Sequence, residues 1–461
     1  MNSPPKLRGN IGYFQFLSLS FGTMIGSAWV ILLGDWLGEA GPGGAVLGFA
    51  SGALIIMTIG ACYAELASRL PEAGSEFIYA HRVYGRKLAF AVGWFLVLYL
   101  VSVTVFEALA LAWIAELLFP TWKSASLYSV FGVAITWQML LTGIGASLCI
   151  FALNLAGTRV AVTSHSILTY GFLFAVLCIL ALMLAHGDPV HAQPLMGTTT
   201  GKPWWLGTFA IFSFCAYALN GFQAIPQAIE ERSANTRLGS IGLMIVLSIA
   251  AAAAFYCLVV IAASLSMPWQ RLVNESLPMI TAASTLPHGQ IVARILLVAT
   301  AVSLIKAWNG VFMMAVRLLV AMARTGYVPS RFARLHPRLA SPAAALCLVA
   351  SLNIIGIFWG KAAIDPITDM CAMVLTLTYV MCCVTVLRLR VRSPGADFKV
   401  PGGRKLVWVG LAGSAVMAFV AFLAPWWQRS GFPMEWVLLL VWGAIGTVVW
   451  LSYGQARVNL Q

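Results

Sequence analysis

The sequence runs to 461 residues, 61% of them hydrophobic and only 9% charged. A soluble domain needs roughly 25% charged residues to cover its surface, so this composition excludes a water-soluble enzyme or binding module and belongs in lipid. The net charge of +13 does not mark a nucleic-acid binder, because the basic residues sit between the apolar runs and mostly on one side of them.

Taken from the N-terminus, residues 1–10 are short and polar, with Lys6 and Arg8, and the apolar run that follows is too long for a signal peptide. It is the first of many such runs, and about 20 mostly apolar residues suffice to cross about 30 Å of hydrocarbon. Hydropathy and its breaks predict twelve transmembrane helices, at 11–36, 43–69, 88–118, 128–152, 158–186, 205–230, 238–266, 289–324, 342–360, 363–388, 405–425 and 435–454. The fold class expected is an all-α integral membrane protein, one domain over 1–461, ending a few residues after its last span with no appended signalling domain. Of the 28 Lys and Arg, Lys123, Lys202, Arg271, Arg294, Lys361 and Arg429 fall on the far side of these spans and Lys306 inside one; the rest lie on the side of the N-terminus. The positive-inside rule then puts both termini in the cytoplasm of a multi-pass plasma-membrane protein, in the inner membrane if bacterial. All nine cysteines fall inside apolar runs without paired CxxC spacing, so they read as small hydrophobes rather than as metal ligands or disulfides.

Two spans carry residues that weaken a helix. The first contains Gly22-Thr-Met-Ile-Gly26-Ser27-Ala28 and the sixth Asn220-Gly221-Phe222-Gln223-Ala-Ile-Pro226. Glycine costs roughly 1 kcal/mol and proline roughly 3 kcal/mol in a helix interior. At membrane depth such irregular backbone survives only where protein or a water-filled cavity satisfies it. Breaks five helices apart, at matching places in two successive halves, point to an inverted-repeat transporter with its site at the breaks; glycines that merely pack helices are the alternative for either span alone.

The residues reached so far resemble the amino acid–polyamine–organocation (APC) transporter superfamily. Gly22-Thr-Met-Ile-Gly-Ser-Ala-Trp29 is similar to its first-helix glycine motif. Tyr63-Ala-Glu-Leu66 with Pro71-Glu-Ala-Gly-Ser75 and Tyr79 resembles its second-helix and first-loop signature, and the segment from Asn220 to Glu231 its sixth helix. Trp308-Asn-Gly310 followed by Arg317, Arg324, Gly326 and Pro329 resembles its eighth helix and exit loop. The resemblance implies two inverted five-helix repeats, 11–186 and 205–388, plus two peripheral helices at 405–454. It also implies that the amides of Gly26, Ser27 and Ala28 receive a substrate carboxylate, that carbonyls near Met24 and from Tyr217 to Asn220 and Gly221 receive its ammonium, and that Tyr217 is an aromatic gate. This chain departs from the pattern at Ala28, where glycine is frequent, and at Gln223, where the family carries an acid. Arg159 stands where the family places a helix-5 lysine against helix 1, so a permanent guanidinium there is expected to exclude sodium.

Ionisable groups in mid-span cost roughly 2.5–3.5 kcal/mol each on insertion scales and are functional by default. Glu107 lies inside the third span and Lys306 inside the eighth, three residues before Asn309. In the implied fold both helices line the central cavity, and an ion pair between Glu107 and Lys306 would make each cheaper. Glu107 leads the candidates for a coupling proton and His165 follows, with a packing role as the alternative for His165. Glu65 and the Glu230-Glu231 pair read as cytoplasmic acids held by loop arginines. No catalytic triad, P-loop, GxGxxG or metal-ligand spacing is present, so no enzyme activity, metal or cofactor is expected. The sequence-based expectation is a secondary transporter for a small amino acid, coupled to protons or exchange, with a polyamine or amine carrier or a non-transporting nutrient receptor as alternatives. Its expected partners are the small-molecule substrate, protons and the bilayer, without nucleic acid or an obligatory protein.

Overall fold

The computed structural model describes residues 11–119, 122, 125–130, 133–360, 364–392, 395–428 and 432–454. Helix α1 (Tyr13–Met24) starts on Gly12, whose amide donates to Gln15 Oε1 at 3.0 Å. It stops at Ile25, and a short α2 (Ala28–Ile31) resumes after Gly26 and Ser27. Next comes α3 (Leu33–Arg69), two helices fused across a kink at Gly41, which has φ 68° and is followed by Pro42. A side chain at Gly41 would also meet the Gly197 amide at 2.8 Å. The first span therefore continues to Ala40, a turn beyond the predicted end at residue 36.

Helix α4 (Ser75–Tyr84) occupies the loop after the second span, bounded by Gly74 and Gly85 at φ 109° and 82°. Then follow α5 (Arg86–Leu118), the strands β1 (Ser126–Val130) and β2 (Val133–Thr136), α6 (Trp137–Leu155) and α7 (Thr158–Ala185). The hairpin corrects the predicted helix start at residue 128. Ser126 pairs with Thr136 and Val130 with Val133, and the β-branched and aromatic residues read as helix-length hydropathy favour strand pairing here. Thr136 then caps α6 by accepting from the Met139 amide at 3.2 Å.

The second interrupted span comprises α8 (Trp204–Ala218) and a short α9 (Ala224–Gln227), separated by five turn residues. Beyond it lie α10 (Leu238–Ser266), the short α11 (Trp269–Leu272) and α12 (Pro278–Ala283), α13 (Gly289–Arg324), α14 (Ala343–Ile357), α15 (Ile364–Arg392), α16 (Gly403–Gln428) and α17 (Met434–Val449). Among the described residues nine helices are long and apolar enough to cross a membrane, and α8 and α14 are shorter apolar helices. Lys123, Lys361, Arg429 and the basic residues at 1–10 lie outside the described residues.

In a bilayer the core forms by close packing rather than by expulsion of water, since lipid tails are as apolar as leucine. Helix α3 packs on α8 and α10, and α13 on α5, α7 and α1. The two interrupted spans cross at their breaks: Gly221 has φ 138°, and a β-carbon there would stand 2.7 Å from the Met24 amide. Only glycine meets both demands. That contact brings the two breaks to one place.

Candidate functional site

A break in a helix strands carbonyls at the end of one half and amides at the start of the next. At the end of α1 the carbonyls are met by side chains from α13. Lys306 Nζ donates to Gly22 O at 2.9 Å and Ile25 O at 2.5 Å, and Ser303 Oγ, one turn earlier, bonds Ile25 O and Gly26 O at 2.8 Å each. The ammonium also lies 4.5 Å from the Phe172 ring centroid, a cation–π contact from α7. Lys306 is fully buried.

The break in the second interrupted span is closed by its own side chain and two tyrosines. Gln223 Oε1 accepts the Gly221 amide at 2.9 Å, Gln223 Nε2 donates to Tyr379 Oη at 3.1 Å, and Tyr379 Oη donates to Ala216 O at 3.2 Å. This chain of bonds steps across the break from α9 to α8. Asn220 Nδ2 meets Tyr99 Oη of α5. Gln223, in the position of the family's acid, thus shapes the backbone.

Between the two breaks lies a cavity of about 40 Å³, space for water-sized occupants in this conformation. Its walls include Met24, Gly26, Ser27, Ala28, Glu107, Tyr217 and Asn220. Glu107 Oε1 would stand 2.9 Å from a β-carbon on Gly26, and Glu107 Oε2 has no hydrogen-bond partner although the residue is only 5% exposed. A buried carboxylate without a partner is costly and suits a group that changes charge or meets a ligand. The remaining walls are mostly apolar or aromatic, with Val103, Phe106, Ala218, Tyr256 and Val311, and one hydroxyl from Thr23.

Other predicted site residues fall elsewhere. Glu107 and Lys306 form no ion pair: the lysine is committed to α1 carbonyls and does not line the cavity. Asn309 is also outside it; its Oδ1 accepts from Asn154 Nδ2 at 2.8 Å and its Nδ2 donates to Ala161 O at 3.1 Å, joining α6, α7 and α13. Gly221 and Gln223 shape the break without facing the cavity. The placement of Arg159 against helix 1 is not found. Arg159 is exposed on the first turn of α7, and the cation against the end of α1 is Lys306. His165 is buried, with Nε2 3.0 Å from Ser18 O, so it packs α7 onto α1. Sequence reasoning missed Tyr99, Phe106, Tyr256, Ser303 and Tyr379. The spacing of Ser303, three before Lys306 on one helix face, was the single available signal.

The acids expected near loop arginines are held by arginines, but these stand on helices α3, α13 and α15 and not in loops. Glu65 accepts from Arg69 at 2.7 Å, Arg390 at 2.5 Å and the Val400 amide at 2.9 Å. Glu230 pairs with Arg324 at 2.8 Å and Glu231 with Arg317 at 2.5 Å. On α4, outside the spans, burial raises the Glu76 carboxyl, whose Oε2 accepts from Gln227 Nε2 at 3.3 Å.

Residues 11–449 match the family model described as amino acid permease. The branched-chain amino acid permease BcaP of Bacillus subtilis (strain 168) is 24% identical, covering 99% of this chain and 95% of that protein. The methylthioribose transporter of the same organism is 23% identical over 98% and 94%, and its glutamate/serine transporter AimA 27% over 98% and 83%. All three are named for transport, as a permease or a transporter. An interrupted-helix cavity in a many-helix membrane fold and a family match over nearly the whole chain agree, and the chain belongs to the amino acid permease family of transporters.

Proposed function

We propose that this chain is a secondary transporter that moves a small amino acid across a cell membrane by alternating access, coupled to protons or to exchange and not to sodium. The observation that carries the reading is the cavity where the two breaks meet, with Gly26, Ser27, Ala28 and Asn220 in its walls and Glu107 as its carboxylate. In this reading twelve spans cross the bilayer, the segments 11–186 and 205–388 are inverted repeats, 405–454 is peripheral, and both ends face the cytoplasm. The amides of Gly26 to Ala28 take the substrate carboxylate. Carbonyls at Met24 and 217–220 take its ammonium, and Tyr217 closes over it. Sodium is excluded because the Lys306 ammonium already holds the Gly22 and Ile25 carbonyls, the oxygen ligands a hard cation would use. Glu107 carries the coupling proton. His165 is second, since its Nδ1 has no partner.

A second reading, an organic amine carrier, is favoured by one observation: Glu107 lines the cavity and Lys306 does not. A thermal-shift screen of amino acids and amines separates the two. A ligand at 100 times its Kd raises stability by about 2.7 kcal/mol. Small neutral amino acids should raise the melting temperature of the wild type and leave Ser27→Leu unchanged. Shifts from amines alone would favour the second reading, and no shift from either class would sink both.

A further inference from the structure

Between α8 and α16 runs a groove of about 910 Å³ that no step of the proposed transport uses. This is near the top of the roughly 300–1,000 Å³ range of small-molecule sites. Its floor is apolar, with Phe209 from α8 and Val416 and Phe419 from α16, while Trp205, Glu39 and Lys202 stand at its mouth. Phe419 is 64% exposed and Trp205 56% exposed, so the floor faces the bilayer and not the protein interior. Trp205 carries the amphipathic ring typical of the lipid–water boundary. Glu39 and Lys202 share the mouth without forming an ion pair.

We propose that this groove binds one phosphatidylethanolamine molecule of the bilayer, acyl chain on the apolar floor, phosphate on Lys202 and ammonium on Glu39. The charge pattern selects the headgroup. A purely anionic headgroup would satisfy Lys202 but face the Glu39 carboxylate. A zwitterion meets both signs. Among zwitterions, an ammonium with N–H donors gives Glu39 a charge-assisted hydrogen bond, which a trimethylammonium cannot. The site also bears on the transporter. Gly207 of α8 packs backbone to backbone on Glu39, a β-carbon there falling 2.2 Å from Glu39 O, and α8 ends at the cavity wall formed by Tyr217 and Asn220. A lipid spanning Glu39, Lys202 and α16 therefore fastens α8 at the place where the two interrupted spans touch. The inference does not depend on which solute is carried.

The test delipidates the purified full chain in detergent and offers it equal amounts of phosphatidylethanolamine, phosphatidylcholine and phosphatidylglycerol with identical acyl chains. Native mass spectrometry counts the lipid retained, and melting curves report stabilisation. Phosphatidylethanolamine should be retained about fivefold over phosphatidylcholine, the factor that one exposed ionic contact of about 1 kcal/mol gives. Glu39→Gln should abolish that preference, and Lys202→Met should lower retention of all three lipids. Val416→Trp, which fills the groove and leaves the mouth charges intact, should displace phosphatidylethanolamine from a chain that still melts cooperatively. Equal retention of the three lipids by the wild type would overturn the proposal. So would a preference for phosphatidylglycerol, or a Glu39→Gln/Lys202→Met double variant that holds phosphatidylethanolamine like the wild type.

Discussion

The ion pair between Arg317 and Glu231 offers a perturbation whose size follows from burial. Its Nε–Oε1 distance is 2.5 Å, with side chains 5% and 1% exposed. It joins α13 to the segment just after α9, where the Ile11 amide also bonds Glu231 O at 3.0 Å. Arg317→Met would leave a carboxylate in low dielectric without its cation, and breaking a buried pair in this way costs about 3–5 kcal/mol. The internal control is Arg82–Glu72, equally close at 2.6 Å but 52% and 40% exposed, for which Arg82→Met should cost about 1 kcal/mol or less. Replacing both buried partners, Arg317→Met with Glu231→Gln, should recover most of the loss, since the uncompensated charge is then gone. Thermal unfolding in detergent measures the stabilities, and uptake into vesicles reports whether the loosened end of α13 leaks substrate. Equal costs at Arg317 and Arg82, or a double variant as unstable as Arg317→Met alone, would refute the reasoning.

Three further outcomes are expected. Ser27→Leu should abolish uptake at unchanged expression, because its side chain fills the space beside the amides of the helix 1 break; wild-type uptake by this variant would move the site elsewhere. Lys306→Met should cut uptake at least about tenfold while stability shifts little, because relief of a buried ammonium, worth several kcal/mol, offsets two charge-assisted bonds of about 1.5–3 kcal/mol each; unchanged uptake would remove Lys306 from the mechanism. On α4, burial, then the charges of Arg82 and Arg86, hold His81 below its ordinary pKa of 6.5. The unfolded chain thus takes up a proton near pH 6.5 that the folded chain refuses, so this contribution to stability is complete above about pH 6.5 and is lost as pH falls below it. His81→Asn should flatten the fall in melting temperature between pH 7.5 and 5.5, and an unchanged slope would show that His81 plays no part in it.

Nine long apolar helices among the described residues were legible in the sequence because lipid demands long apolar runs. The two breaks were legible because Gly26, Ser27, Gly221 and Pro226 sit where a continuous helix has no use for them. Glu107 announced itself by its cost in mid-span. The partners of these groups were not legible. Lys306 and Glu107 are both expensive and lie on neighbouring helices, so pairing was the economical guess; the carbonyls that take the ammonium instead appear only once α1 stops at Met24. Arg159 was placed by resemblance alone. Its position on the first turn of α7 leaves it in solvent, and the cation comes from α13, three residues from Ser303. Strands β1 and β2 were hidden because Val130, Val133 and Ile135 raise hydropathy as well in a hairpin as in a span. Tyr379 gives no sign in one dimension that its hydroxyl closes a break lying 156 residues away.

Radiolabelled amino acid uptake into proteoliposomes, with choline replacing sodium on both sides, tests the central claim most directly. A sodium-independent carrier with Lys306 on the Gly22 and Ile25 carbonyls predicts saturable uptake of a small amino acid that is the same in both salts and is driven by an inward proton gradient or by unlabelled substrate inside. Uptake that requires sodium, or vesicles that accumulate no amino acid under either driving force, would contradict it.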